Sequence, residues 1–144
     1  MPLTLDAAQS IVRAALAHAR DKAMKPLAVV VLDARGVVKA AAVEDGTSLK
    51  RFEIAQGKAH GAIALGMGSR AIARRATEQA FFVAAVTHAV GGSLVPVPGG
   101  VLIRDPDGTL LGAAGASGEV SDNDEAALLA GIAVAGLTAE PGQD

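Results

Sequence analysis

The chain has 144 residues and is 51% hydrophobic, but 32 of those residues are alanine, a further 17 positions are glycine, and Phe52, Phe81 and Phe82 are the only aromatics. A core of such small groups leaves apolar surface that association between copies is well suited to bury, so a homo-oligomer is expected. A formal net charge of −2 with scattered basic residues argues against a nucleic-acid partner, and the lack of cysteine excludes disulfides, thiolate nucleophiles and thiolate metal sites.

The first residues lack the basic start and apolar run of a signal peptide, and no stretch reaches about 18 apolar residues. A cytoplasmic protein with no membrane partner, one domain spanning residues 1–144, is therefore expected. Thr4 is placed to cap a helix over residues 5–23, in which Ala8, Ile11, Val12, Ala15 and Ala19 recur at helical spacing and which Pro26 stops. Two apolar runs, 27–32 and 37–43, flank the turn Asp33-Ala-Arg-Gly36 and form an antiparallel hairpin.

Thr47 or Ser48 can cap a second helix running to about Leu65, where Gly66-Met-Gly68 breaks it. Ser69 opens a third helical stretch to Ala80 with Arg70, Arg74, Arg75 and Glu78 on its wet side, and a separate apolar segment follows over 81–90. Glycines and prolines make the next part irregular, with residues 94–97 as a short edge strand. Strands over 101–104 and 109–114 flank Asp105-Pro-Asp-Gly108, a strong turn signal. Acidic residues at 122, 124 and 125 suit the start of a last helix to about Leu137, and residues 138–144 read as a frayed tail. The order helix, hairpin, helices, hairpin, helix implies an α+β protein with one antiparallel sheet of four or five strands and helices packed on it.

Three histidines, His18, His60 and His88, are the side chains suited to proton transfer or metal ligation near neutrality. His60 stands out because Glu53, Gln56 and His60 fall at three- and four-residue steps on one stripe of the second helix. Lys58 points to the other side of that helix and joins the same site only through a loop or another subunit. The glycine-rich segments Val97-Pro-Gly-Gly-Val101 and Gly112-Ala-Ala-Gly-Ala-Ser-Gly118 permit close backbone approach, either to a ligand or to a neighbouring subunit. Backbone N–H groups at Gly99, Gly100, Ser117 and Gly118 are candidates for holding a carboxylate.

Leu3-Thr-Leu5 with Ala7-Ala8, Ala28-Val-Val-Val-Leu-Asp33 with Gly36, Asp45-Gly46, Ile54-Ala55 with Lys58-Ala59, Pro98-Gly-Gly100, the run from Gly112 to Gly118, and Asp124-Glu125 with Ala130-Gly131 together resemble the GlcG/HbpS-like (DUF336) proteins. That family includes the C-terminal domain of PduO-type corrinoid adenosyltransferases, and the resemblance covers nearly the whole chain in order. It implies a profilin-like sandwich, homo-oligomeric assembly and, for some members, haem binding.

The leading reading is a homo-oligomeric protein that binds haem or another small molecule. His60 supplies the metal ligand if haem is bound, and Lys58, Gly99, Gly100, Ser117 and Gly118 line the ligand. An alternative is a cofactor-independent lyase or isomerase acting on a small carboxylate-bearing metabolite, with His60 or Glu53 moving a proton, Gln56 orienting it and backbone N–H groups stabilising an enolate. A third reading is an accessory subunit whose glycine and alanine surfaces serve packing alone.

Overall fold

The computed structural model describes residues 2–144. Helix α1 spans Leu5–Asp21, and the Thr4 hydroxyl accepts a hydrogen bond from the Ala7 N–H at its start. It ends before Pro26, because the chain turns at Ala23 with φ +52° while the Met24 N–H closes back on the Ala19 carbonyl. Strands β1 (Ala28–Asp33) and β2 (Val38–Val43) form the first hairpin.

Helix α2 covers Arg51–Leu65, later than either expected cap. Thr47 spends its hydroxyl on the Glu44 carbonyl and Ser48 accepts from the Arg51 side chain, so neither caps the helix, whose start has no side-chain cap. Gly66, at φ +70°, ends it. Two short helices follow, α3 (Ser69–Glu78) and α4 (Ala80–Ala89), separated at the non-helical Gln79. Arg70 is drawn from the expected wet face into ion pairs with Asp122, Glu125 and Asp144.

Residues 94–97 form no strand. Instead the segment straps across α2, where Gly57 and Gly61 leave room for Val95 and Leu94 and the Val95 N–H donates to the Gly57 carbonyl at 3.1 Å. Strands β3 (Gly100–Arg104) and β4 (Leu110–Ser117) make the second hairpin, with Asp105 accepting from the Asp107 and Thr109 N–H groups in its turn. Helix α5 spans Ser121–Val134, and Gly136 at φ +75° turns the chain into a fifth strand, β5 (Thr138–Glu140). The tail is thus not frayed: β5 pairs with β3, and Arg104 holds Glu140 at 3.1 Å.

The sheet order is β2-β1-β4-β3-β5, and every neighbouring pair is antiparallel. This is the expected α+β sandwich, resolved to five strands. Helices cover both faces: Val29, Val31, Ala114 and Ala116 pack against α1 and α5, while Ala28, Val30, Leu32 and Ala113 pack against Ala55, Ala59 and Ala62 of α2. That double burial explains why β1 reads as a continuous apolar run with no alternation. Among the described residues no helix is long and apolar enough to cross a membrane.

Candidate functional site

His18 lies on α1 and His88 on α4, while the other residues singled out by sequence lie on or against helix α2, in three places. His60 is half-buried on the side facing the strap, where Nδ1 lies 2.9 Å from the Ser93 carbonyl oxygen. A carbonyl can only accept, so Nδ1 carries the proton and the neutral ring keeps its lone pair on Nε2. The ring rests against the turn of the first hairpin, since a Cβ added to Gly36 would lie 3.4 Å from its Cδ2. Glu53, on the same stripe, is exposed and pairs with Lys50 at 3.2 Å, while Gln56 is half-buried between them. Of the three, only His60 is fixed by a neighbour from another element.

Lys58 leaves α2 on the sheet side and is 2% exposed. Its Nζ donates to the Ala116 carbonyl at 2.9 Å and to Asp124 at 3.1 Å, and the second Asp124 oxygen accepts from the Glu119 N–H. Burial pushes Lys58 below the ordinary lysine range and Asp124 above the ordinary carboxylate range, and the mutual attraction opposes both shifts. This pair stitches α2 to the end of β4 and the start of α5.

Gly99 and Gly100 lie under the same pair. The Gly100 N–H donates to the buried Ser69 hydroxyl at 2.7 Å, and a Cβ at Gly100 would come within 2.3 Å of the Lys58 carbonyl oxygen. Gly115, the cross-strand partner of Gly100, is as tight, at 2.0 Å from the Ala55 carbonyl oxygen. The close approach that these glycines permit is therefore to the protein's own helix.

Ser117 and Gly118 lie at the other end of α2, beside Arg51. Position 51 is nine residues from His60, which at 100° and 1.5 Å per residue puts the two on opposite sides of the helix and about 13 Å apart along it. Ser117, 1% exposed, accepts from Arg51 at 3.3 Å. Gly118 borders a cleft of about 220 Å³ with Lys25, Pro26, Gly46, Thr47, Ser48 and Arg51. Sequence reasoning passed over Arg51 and Ser93. Ser93 carries no sequence signal, because its role is that of a main-chain carbonyl. Arg51 had one: a cation in the first turn of a helix sits against the positive end of the helix dipole and calls for a reason.

Among the described residues no group of three or more His, Asp or Glu is arranged to hold a bare metal ion, so His60 is suited to ligate only a metal whose other ligands come with it. The family model described as haem degrading protein HbpS-like matches residues 3–133. No relative is found among curated proteins. Similar solved structures include PduOC in complex with haem, 23% identical with a TM-score of 0.84, over 99% of this chain and 100% of that one. A double mutant of HbpS from Streptomyces reticuli is 27% identical with a TM-score of 0.79, over 93% and 87% of the two chains. The Klebsiella pneumoniae protein ORFY is 22% identical with a TM-score of 0.80, over 92% and 89%.

Proposed function

The chain belongs to the haem degrading protein HbpS-like family, and from that premise we propose that it is a homo-oligomeric haem-binding protein in which His60 Nε2 is the axial ligand. The observation that carries the reading is the bond from His60 Nδ1 to the Ser93 carbonyl. Metal-ligating histidines commonly donate their other ring N–H to such a carbonyl, which fixes the tautomer and orients the ring. Neither His18 nor His88 makes a side-chain hydrogen bond among the described residues. PduOC, a protein of the same fold, has been solved in complex with haem, which adds weight to haem as the ligand.

The donor chemistry of the site fits haem: one imidazole nitrogen with an available lone pair, beside the apolar Ile63 and next to a hairpin turn followed by the half-exposed Val37 and Val38. Bound haem would supply redox and small-ligand chemistry; the chain supplies the nitrogen and the apolar wall. His60 is half-buried in one copy, and a second copy is the natural cover for its exposed side. Unpartnered apolar surface supports association, since Phe81 is 93% exposed and Phe82 43% exposed on α4, and Leu49 is 87% exposed before α2.

The test is an absorbance titration with haemin on the wild type, His60→Ala and His18→Ala, beside a thermal melt and native mass spectrometry. We expect a saturable Soret shift that His18→Ala keeps and His60→Ala weakens by about tenfold or more, with the melt unchanged. Equal binding by His60→Ala would refute the assignment of the ligand, and a monomer at micromolar concentration would refute the shared enclosure.

A further inference from the structure

We propose that the cleft at the start of α2 is a second, separate binding site, built to receive the carboxylate of a small organic acid on the Arg51 guanidinium. The cleft measures about 220 Å³, the scale of a few-carbon acid, and is walled by Lys25, Pro26, Gly46, Thr47, Ser48, Arg51 and Gly118. It lies across α2 from His60, so the inference is independent of haem binding.

Arg51 is positioned from both sides. Its Nε donates to the Ser48 hydroxyl at 3.1 Å and one terminal nitrogen donates to the buried Ser117 hydroxyl at 3.3 Å. A guanidinium has five N–H donors, so three remain unspent, and both bonds it makes are to neutral oxygens. Its charge is thus held in place with no carboxylate in direct contact, although its field reaches Asp124.

Among the described residues, five of the seven other arginines are ion-paired; Arg13 is not, and Arg75 lies over the Phe82 ring at 5.2 Å, so Arg51 differs from these two in being held by two hydroxyls at a cleft. Arg20 pairs with Glu44, Arg35 with Asp33, Arg70 with Asp122, Glu125 and Asp144, Arg74 with Glu78, and Arg104 with Glu140. Arg51 forms no ion pair among the described residues, although carboxylates are close. Four carboxylates of the surrounding elements are committed elsewhere: Asp124 to Lys58 and the Glu119 N–H, Glu119 to the Lys25 and Val120 N–H groups, Glu53 to Lys50, and Glu44 to Arg20 and the Leu27 N–H, while Asp45 next to the wall residue Gly46 makes no ion pair with Arg51.

The surroundings add to the positive field. Lys25 is on the rim, and the cleft faces the start of α2, which has no side-chain cap, although Glu53 lies in its first turn. A planar carboxylate matches the flat guanidinium edge through two parallel hydrogen bonds, a geometry that neither a lone lysine nor a hydroxyl offers. The ligand class that fits the volume, the charge and the planar donor edge is a small monocarboxylate or dicarboxylate.

The experiment is a nitrogen-15 amide titration of the full-length protein with propionate, succinate and inorganic phosphate at constant ionic strength. The comparison variants are Arg51→Gln, Arg51→Lys and His60→Ala. We expect saturable shifts at Gly46, Thr47, Ser48 and Gly118 with a carboxylate, weakened by about tenfold or more in Arg51→Gln and also weakened in Arg51→Lys, which keeps the charge but loses the planar edge. His60→Ala should bind the acid as the wild type does, so failure of the haem assignment and failure of this one are told apart.

Absence of saturable shifts in the wild type, or binding by Arg51→Gln equal to the wild type, would overturn the proposal. Tighter binding of phosphate than of either acid would overturn the ligand class. If Arg51→Gln does not fold, Arg51→Lys decides: unchanged affinity for the acid overturns the proposal and weakened affinity upholds it.

Discussion

Adding one methyl group at Gly115 is expected to unseat α2, whereas the same addition at Gly57 is expected to be tolerated. At Gly115 the new Cβ would sit 2.0 Å from the Ala55 carbonyl oxygen and 3.1 Å from the Ala59 Cβ. Restoring ordinary contact requires a displacement of more than about 1 Å between a central strand and a helix. The nearest contact is a backbone carbonyl, and the helix is held by Lys58 at the Ala116 carbonyl and by the strap at Gly57.

Overpacking against side chains costs about 1–3 kcal/mol, and against a backbone carbonyl the cost should reach about 3 kcal/mol or more. For a chain of this length that is a fall in Tm of about 10 °C. At Gly57 the nearest atom, at 2.6 Å, is a Val95 methyl, which can turn away. Alanine there also recovers about 1 kcal/mol of helix propensity. Thermal melts of Gly115→Ala and Gly57→Ala at matched concentration make the comparison. Equal shifts, or a Gly115→Ala melt within about 2 °C of the wild type, would refute the close-approach argument.

Breaking the buried ion pair by Lys58→Met should destabilise by about 3–5 kcal/mol because it strands a buried carboxylate, and adding Asp124→Leu should recover most of the loss, as read by urea unfolding. At the first hairpin turn, burial works to raise the Asp33 carboxyl, but hydrogen bonds from the Arg35 side chain and from the Val37 and Arg35 N–H groups outweigh it and hold it below its ordinary value of 3.8. A lowered carboxyl stabilises the fold above its unfolded value, and that contribution disappears as pH falls through the folded one. The wild type should therefore lose more stability than Asp33→Asn when urea midpoints are compared between about pH 5 and pH 2.

Local chemistry along the chain is enough to place most elements. Thr4 caps α1 and Asp105 organises the second turn as their residue types predict, because a cap or an Asx turn is satisfied within a few residues of itself. The same holds for the glycines, whose density marked backbone approach. What the local pattern cannot supply is the identity of the approaching partner: for Gly100 and Gly115 it is Lys58 and Ala55 of α2, each more than 40 positions away in sequence. Three-dimensional packing also decided that residues 94–97 lie over α2 instead of pairing at an edge, and that β5 completes the sheet.

The candidate site divides along the same line. Helical periodicity put Glu53, Gln56 and His60 on one stripe and Lys58 away from it, since angles around a helix follow from spacing alone. The fold adds a neighbour for one member of that stripe, bringing the Ser93 carbonyl to His60 Nδ1 from 33 residues away. Only the fold could bury Lys58 against Asp124, 66 residues on, and leave Arg51 with two hydroxyls and no carboxylate. Charge pairing depends on distances of a few ångströms between elements, and those distances are set by how helices seat on the sheet.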